Sequence, residues 1–167
     1  MPEILRQSLT WRKSGLKVTA FSQLHADCAA LGTRLFTVTA LDEAAAAHRR
    51  VYTSHPLEYP VQGTKPMEKD AWHAICVVAR RTFVANTPAE FSEHFFDHEL
   101  IVSLGLGSCA NLPVVADGVV LGTVNLLAEA GHFTPERLAA YHALVGRAEP
   151  AISAALAGFG QAARSGT

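Results

Sequence analysis

Between residues 18 and 31 the apolar side chains Phe21, Leu24, Cys28 and Leu31 fall at steps of three, four and three. That spacing lines one face of a helix, and Gly32 supplies its stop. Arg34 to Leu41 (RLFTVTAL) is β-branched and aromatic with rough alternation, the pattern of a strand. The stretch DEAAAAHRR after it has an aspartate cap, an alanine run and basic residues at its end, so propensity favours a helical turn. An Ala-rich hairpin connection into an extended Val51 to Ser54 is the alternative. His55 to Lys69 (HPLEYPVQGTKPMEK) carries three prolines and a glycine and is expected to be a long loop, of the kind that is often functional.

A helix is predicted from Asp70, with Trp72, Ile75, Cys76 and Ala79 on one face and Arg80 and Arg81 at its negative end. Thr82 to Ala85 is a short strand. Thr87-Pro88-Ala89-Glu90 has the form of a capping box with proline at the first helical position. Asp97 is placed to cap another helical segment, with Leu100, Ile101 and Leu104 inward and Gly105 at its end. Two apolar runs, Cys109 to Ala116 and Val119 to Ala128, flank Asp117-Gly118, a strong signal for a type I′ hairpin because both central residues need positive φ. Pro113 cannot donate to a ladder, so its strand needs an edge or a bulge there. After Thr134-Pro135, the residues Leu138, Tyr141, Val145, Ala148, Ile152, Ala155 and Phe159 repeat at heptad-like spacing in a helix that Pro150 is expected to kink.

The order of elements indicates an α+β fold with helices gathered on one face of a sheet. The chain has 167 residues, 49% hydrophobic and 17% charged, enough for one domain with a real core. Its 14 basic and 15 acidic residues leave a formal charge of −1, with no basic footprint for nucleic acid or anionic lipid. The N-terminal residues MPEILRQSLTWRKSG lack the features of a secretory signal, and no apolar run approaches the roughly 18 residues of a membrane span. A cytoplasmic protein is expected. Its three cysteines, Cys28, Cys76 and Cys109, form no C-x-x-C pair, which argues against a disulfide framework or thiolate zinc site.

The segment SCANLPVVADGVVLGTVNLLAEAGHFTPERLAAYHAL resembles the C-terminal half of a GAF domain. It has the family's serine, its apolar strand with a Leu-Pro step, its Asp-Gly turn and its apolar-Gly-apolar strand. A Phe-Thr-Pro-Glu loop end and an apolar helix follow. The similarity spans roughly residues 18 to 156 and implies a GAF-like, PAS-related fold: a six-stranded antiparallel sheet with the N- and C-terminal helices on one face and a pocket covered by loops and short helices on the other. It also favours the hairpin over a helix at residues 42 to 54. The expected organisation is an extension over 1–16, the GAF-like domain over 17–158 and a flexible tail over 159–167.

GAF domains bind cyclic nucleotides, tetrapyrroles, haem or small metabolites, so the resemblance implies a small-molecule ligand but leaves its identity, and any cofactor, open. By this analogy the pocket draws on His55, Tyr59, Lys65, Trp72, His73, Asn86, Phe95, Phe96, His98, Ser103, Ser108, Cys109 and Asn111. A few polar groups in an apolar concavity suit small-ligand recognition. Taken singly, Trp72, Phe95 and Phe96 also read as core, and His55 and Lys65 as solvated loop residues.

His94 and His98 lie one helical turn apart, a metal-ligand spacing, but the sequence places no third ligand. Cys109 could serve as a redox thiol in the manner of the GAF relatives that reduce free methionine sulfoxide, which need a second thiol close by. Neither a G-x-S-x-G elbow nor a G-x-x-x-x-G-K loop is present. The leading expectation is therefore a sensory module acting through a separate signalling partner. A ligand-free homodimerisation module, paired through the terminal helices around Phe21 and Ile152, is second, and a thiol-based reductase third.

Overall fold

The computed structural model describes residues 20–165. The expected extension 1–16, the first residues of the N-terminal helix and the last two residues of the tail lie outside them. The elements are α1 (20–30), β1 (Leu35–Asp42), β2 (Ala47–Thr53), β3 (Thr64–Pro66), α2 (Ala71–His73) running into a π-helical segment (Ala74–Val78), and β4 (Phe83–Ala85). Then come α3 (Pro88–Ser92), α4 (His98–Ser103), β5 (Ser108–Ala116), β6 (Val119–Ala128) and α5 (Pro135–Ser165). The strands form a six-stranded antiparallel sheet in the order β3-β2-β1-β6-β5-β4.

Period-2 alternation sorts the central strands between two cores. Phe36, Val38 and Ala40 of β1, Ala110, Leu112 and Val114 of β5, and Val124, Leu126 and Ala128 of β6 pack against α1 and α5. Leu35, Cys109 and Leu127 face the other way, into a second cluster with Tyr59, Cys76, Phe91 and Ile101. The polar residues Thr37, Asn111, Thr123 and Asn125 alternate into this second face.

β1 and β2 pair as a hairpin, joined by a turn in which Asp42 accepts from the Ala45 N–H, so residues 42 to 54 are not a helix. Asp117 (φ 51°) and Gly118 (φ 74°) form the positive-φ pair of a type I′ turn. β4 pairs with β5 only over Cys109 to Asn111, so Pro113 lies beyond it on an edge, and a register shift follows at Val114/Val115. Gly122 answers to tertiary contact: a Cβ there would collide with the carbonyl oxygen of Thr39 on β1.

Three expectations change. The proline-rich stretch after His55 contains an element, β3, which pairs along the edge of β2, where proline is tolerated. The helix from Asp70 has the predicted cap, Asp70 accepting from the His73 N–H, but its ladder widens to i→i+5 bonds such as Ala79 N–H to the Ala74 carbonyl. Trp72, Ile75 and Cys76 meet the second core as expected, but His73 is buried as well while Ala79 is exposed, and Arg80 follows at φ 54°. Finally, the heptad-like stripe of α5 is spent within the chain: Tyr141, Val145, Ile152 and Ala155 are buried against the sheet together with Phe21 and Leu24 of α1. α5 carries Pro150 in its interior and runs to Ser165, into the span 159–167 expected to be a tail.

Candidate functional site

The face of the sheet away from α1 and α5 is covered by the residues 55–69 connection, α2 with its π-helical continuation, and the segment from Phe95 to α4. A cavity of about 410 Å³ lies between them. Its floor is built by strand register. Thr37 of β1, Asn125 of β6 and Asn111 of β5 stand side by side across three strands. Above them a second row runs Arg50 (β2), Thr39 (β1), Thr123 (β6).

The first row is a relay of side-chain hydrogen bonds. Trp72 Nε1–H donates to Asn111 Oδ1 (3.0 Å), Asn111 Nδ2 donates to Asn125 Oδ1 (2.9 Å), and Asn125 Nδ2 donates to Thr37 Oγ1 (3.1 Å) and Thr39 Oγ1 (2.9 Å). The relay fixes both amide orientations and ties α2 to the sheet through Trp72. Aromatic walls stand over it: Tyr59, Trp72, Phe95 and Phe96.

Tyr59 donates to Asp97 Oδ2 at 2.6 Å, and the Arg50 guanidinium lies over the Tyr59 ring, 4.9 Å from its centroid. Burial, followed by the bond to Asp97, holds the Tyr59 hydroxyl far above its ordinary pKa, so it is a permanent donor. Lys65 Nζ sits 5.7 Å from the Phe95 centroid and 5.5 Å from that of Phe96. His48 lies edge-on to Trp72, at 5.4 Å between ring centroids. Burial, then the charge of Lys65 and the neighbouring His73, push it down to about 4 against the pull of Asp70, so it is neutral near pH 7. The site can thus grip a small molecule between aromatic walls and a floor of hydroxyls, amides and cations.

A family model for the GAF domain matches residues 18–152. The chain belongs to the GAF domain family. No curated protein matches it. Solved structures share its fold at low identity. The GAF domain/HD domain protein of Geobacter sulfurreducens aligns with a TM-score of 0.68 at 16% identity, over 86% of this chain and 97% of that one. The GAF domain of a two-component sensor histidine kinase from Bacillus halodurans gives 0.63 at 13%, over 84% and 92%. The type II free methionine-R-sulfoxide reductase of Thermoplasma acidophilum gives 0.55 at 13%, over 83% and 94%.

Within this GAF domain, six of the residues expected at the pocket line the cavity: Tyr59, Lys65, Trp72, Phe95, Phe96 and Asn111. The other seven stand elsewhere. His55 bonds Ser54 Oγ at 2.7 Å. Asn86 clasps the backbone of Phe133 with both amide atoms, Ser103 caps back to the Leu100 carbonyl, and Ser108 donates to the Glu129 carbonyl. His73 is buried behind the wall with Nδ1 unpartnered, and His98 lies at the start of α4. Cys109 is fully buried in the second core, and burial first of all pushes its thiol, like that of Cys76, up to about 12. His94 packs its ring on Phe83, at 5.0 Å between centroids, and no group of three or more His, Cys, Asp or Glu suited to a metal occurs among the described residues.

Sequence reasoning missed Arg50, His48, Thr37, Thr39, Thr123 and Asn125, all on the floor. A readable signal existed: polar residues at i and i+2 in the otherwise apolar β1 and β6 mark one strand face. Asp97, expected to cap α4, makes no cap bond and serves Tyr59.

Proposed function

We propose that this chain is a small-molecule-binding sensory module, whose pocket occupancy is passed to a separate signalling partner. The observation that carries this reading is the cavity itself. Its floor is a continuous polar relay from Trp72 to Thr37 and Thr39, on the sheet face opposite the helix-packed core. The relay satisfies its own amides, and the hydroxyl hydrogens of Thr37 and Thr39 that it leaves over are donors for a ligand. The covering layer is short helices and loops, including a π-helical turn, which adjusts to a ligand more readily than the packed sheet does.

In this reading the module works in the cytoplasm; no helix among the described residues is long and apolar enough to cross a membrane. Pairing of two copies uses the outer faces of α1 and α5, since Phe21 and Ile152 are engaged in the core of their own chain. The deciding experiment is native against denaturing mass spectrometry of freshly purified protein, with an absorption spectrum of the same sample. An extra mass released on denaturation is the expected result. Bare protein under native conditions, together with no thermal shift across a metabolite library, would count against the reading.

A further inference from the structure

The hydrogen-bond accounting of the pocket leaves donors without acceptors. Thr37 and Thr39 each accept from Asn125, which leaves their hydroxyl hydrogens free to donate. Thr123, only 3% exposed, makes no side-chain hydrogen bond among the described residues. Arg50 spends one guanidinium nitrogen on the Pro60 carbonyl at 3.1 Å, while its buried Nε has no partner. An orphaned donor on a charged, partly desolvated group is costly unless something arrives to accept from it.

The charges point the same way. Neither Arg50 nor Lys65 has a carboxylate within ion-pair distance; the ion pair found among the described residues is Arg49 with Asp42. The carboxylates of the lining are committed elsewhere or hydrated: Asp97 takes the Tyr59 hydroxyl, Asp70 caps α2, and Glu58 and Glu68 are exposed. Burial lowers the pKa of Arg50 against the opposing pull of Tyr59 and the Asp97 carboxylate, the mark of a cation short of solvation. Four carboxylates nevertheless line the pocket against two permanent cations, which weighs against a polyphosphate and leaves a local place for one negative charge only beside Arg50.

We propose that the pocket selects a monocarboxylate on a flat, largely apolar body, its carboxylate seated on the row Arg50, Thr39 and Thr123 and its body held between Trp72, Phe95 and Leu127. Arg50 and Thr39 are direct neighbours in the β1–β2 register, as Thr39 and Thr123 are in β1–β6, so the three residues form one row across the floor, with Thr39 at its centre. A carboxylate on that row accepts from the threonine hydroxyls, with a charge-assisted bond from the Arg50 guanidinium. The inference rests on the binding-module reading and names the chemistry of its ligand.

The test titrates benzoate, nicotinate and indole-3-carboxylate, each beside its primary carboxamide, into the full chain by ligand-observed NMR and calorimetry. The proteins are the natural one, Arg50→Gln and Thr39→Val, with circular dichroism melts as the check on folding. The expected result is that at least one acid binds ten-fold or more tighter than its amide, that Arg50→Gln abolishes the preference, and that Thr39→Val weakens the acid at least three-fold. Should Arg50→Gln fail to fold, the acid-to-amide ratio and Thr39→Val still decide. Amides binding as tightly as acids, or a preference unchanged in both variants, would overturn the carboxylate assignment while leaving a binding module. Failure of both series to bind also overturns it, and the mass measurement above then judges the module independently.

Discussion

His48 shows how burial turns an ordinary side chain into a pH-dependent liability. Its folded-state pKa, down at about 4, lies below the ordinary value of 6.5, so the folded chain favours the neutral ring and the unfolded chain the charged one. The stability this contributes is complete above about pH 6.5 and is lost progressively as pH falls toward 4. Buried His132, also shifted down chiefly by desolvation, acts in the same direction. Urea midpoints at pH 7 and pH 5 are expected to fall with acid in the natural chain and to fall less in His48→Gln. The cysteines make the opposite point, because burial makes them inert. With Cys109 and Cys76 held as thiols at neutral pH, the purified chain is expected to show no thiol-dependent reduction of free methionine sulfoxide. Turnover that disappears in Cys109→Ser would refute this.

Local chemistry wrote some elements and tertiary contact the others. The Thr87 cap, the Asp117-Gly118 turn and the Asp70 cap were legible because each depends on a few adjacent residues. The π-helical widening after His73 was not, since no cap, turn or spacing in residues 70–81 marks it. β3 was equally hidden, three residues whose extended form comes from the edge of β2. Gly122 sits where β6 runs too near β1 for a Cβ, against the Thr39 of the donor row. Gly122→Ala is expected to cost at least about 2 kcal/mol in denaturant unfolding, as overpacking of a tight interior does. An unchanged midpoint would mean the two strands can part freely.

For the whole molecule, the terminal helices close the core of their own chain. Ile152 is fully buried and Phe21 nearly so, both in the cluster that joins α1 and α5 to the sheet. Ile152→Asp is therefore expected to unfold the monomer, costing on the order of 3–5 kcal/mol by loss of packing and burial of a charge. Light scattering combined with circular dichroism checks this. A folded monomer released from a dimer would instead place Ile152 in the contact between two copies. The sequence by itself determined the class of fold, the Asp117-Gly118 hairpin and the caps at Asp70 and Thr87, and it named six residues that line the cavity. Those follow from periodicity, capping and turn chemistry, and from the motifs shared with GAF domains. Which face Thr37, Thr39, Thr123 and Asn125 share, that Arg50 stands beside them, and that Asp97 turns from α4 to Tyr59 were decided only by the tertiary structure. Strand register and loop closure bring together residues 88 positions apart in the bond from Asn125 to Thr37, and no local pattern encodes that meeting.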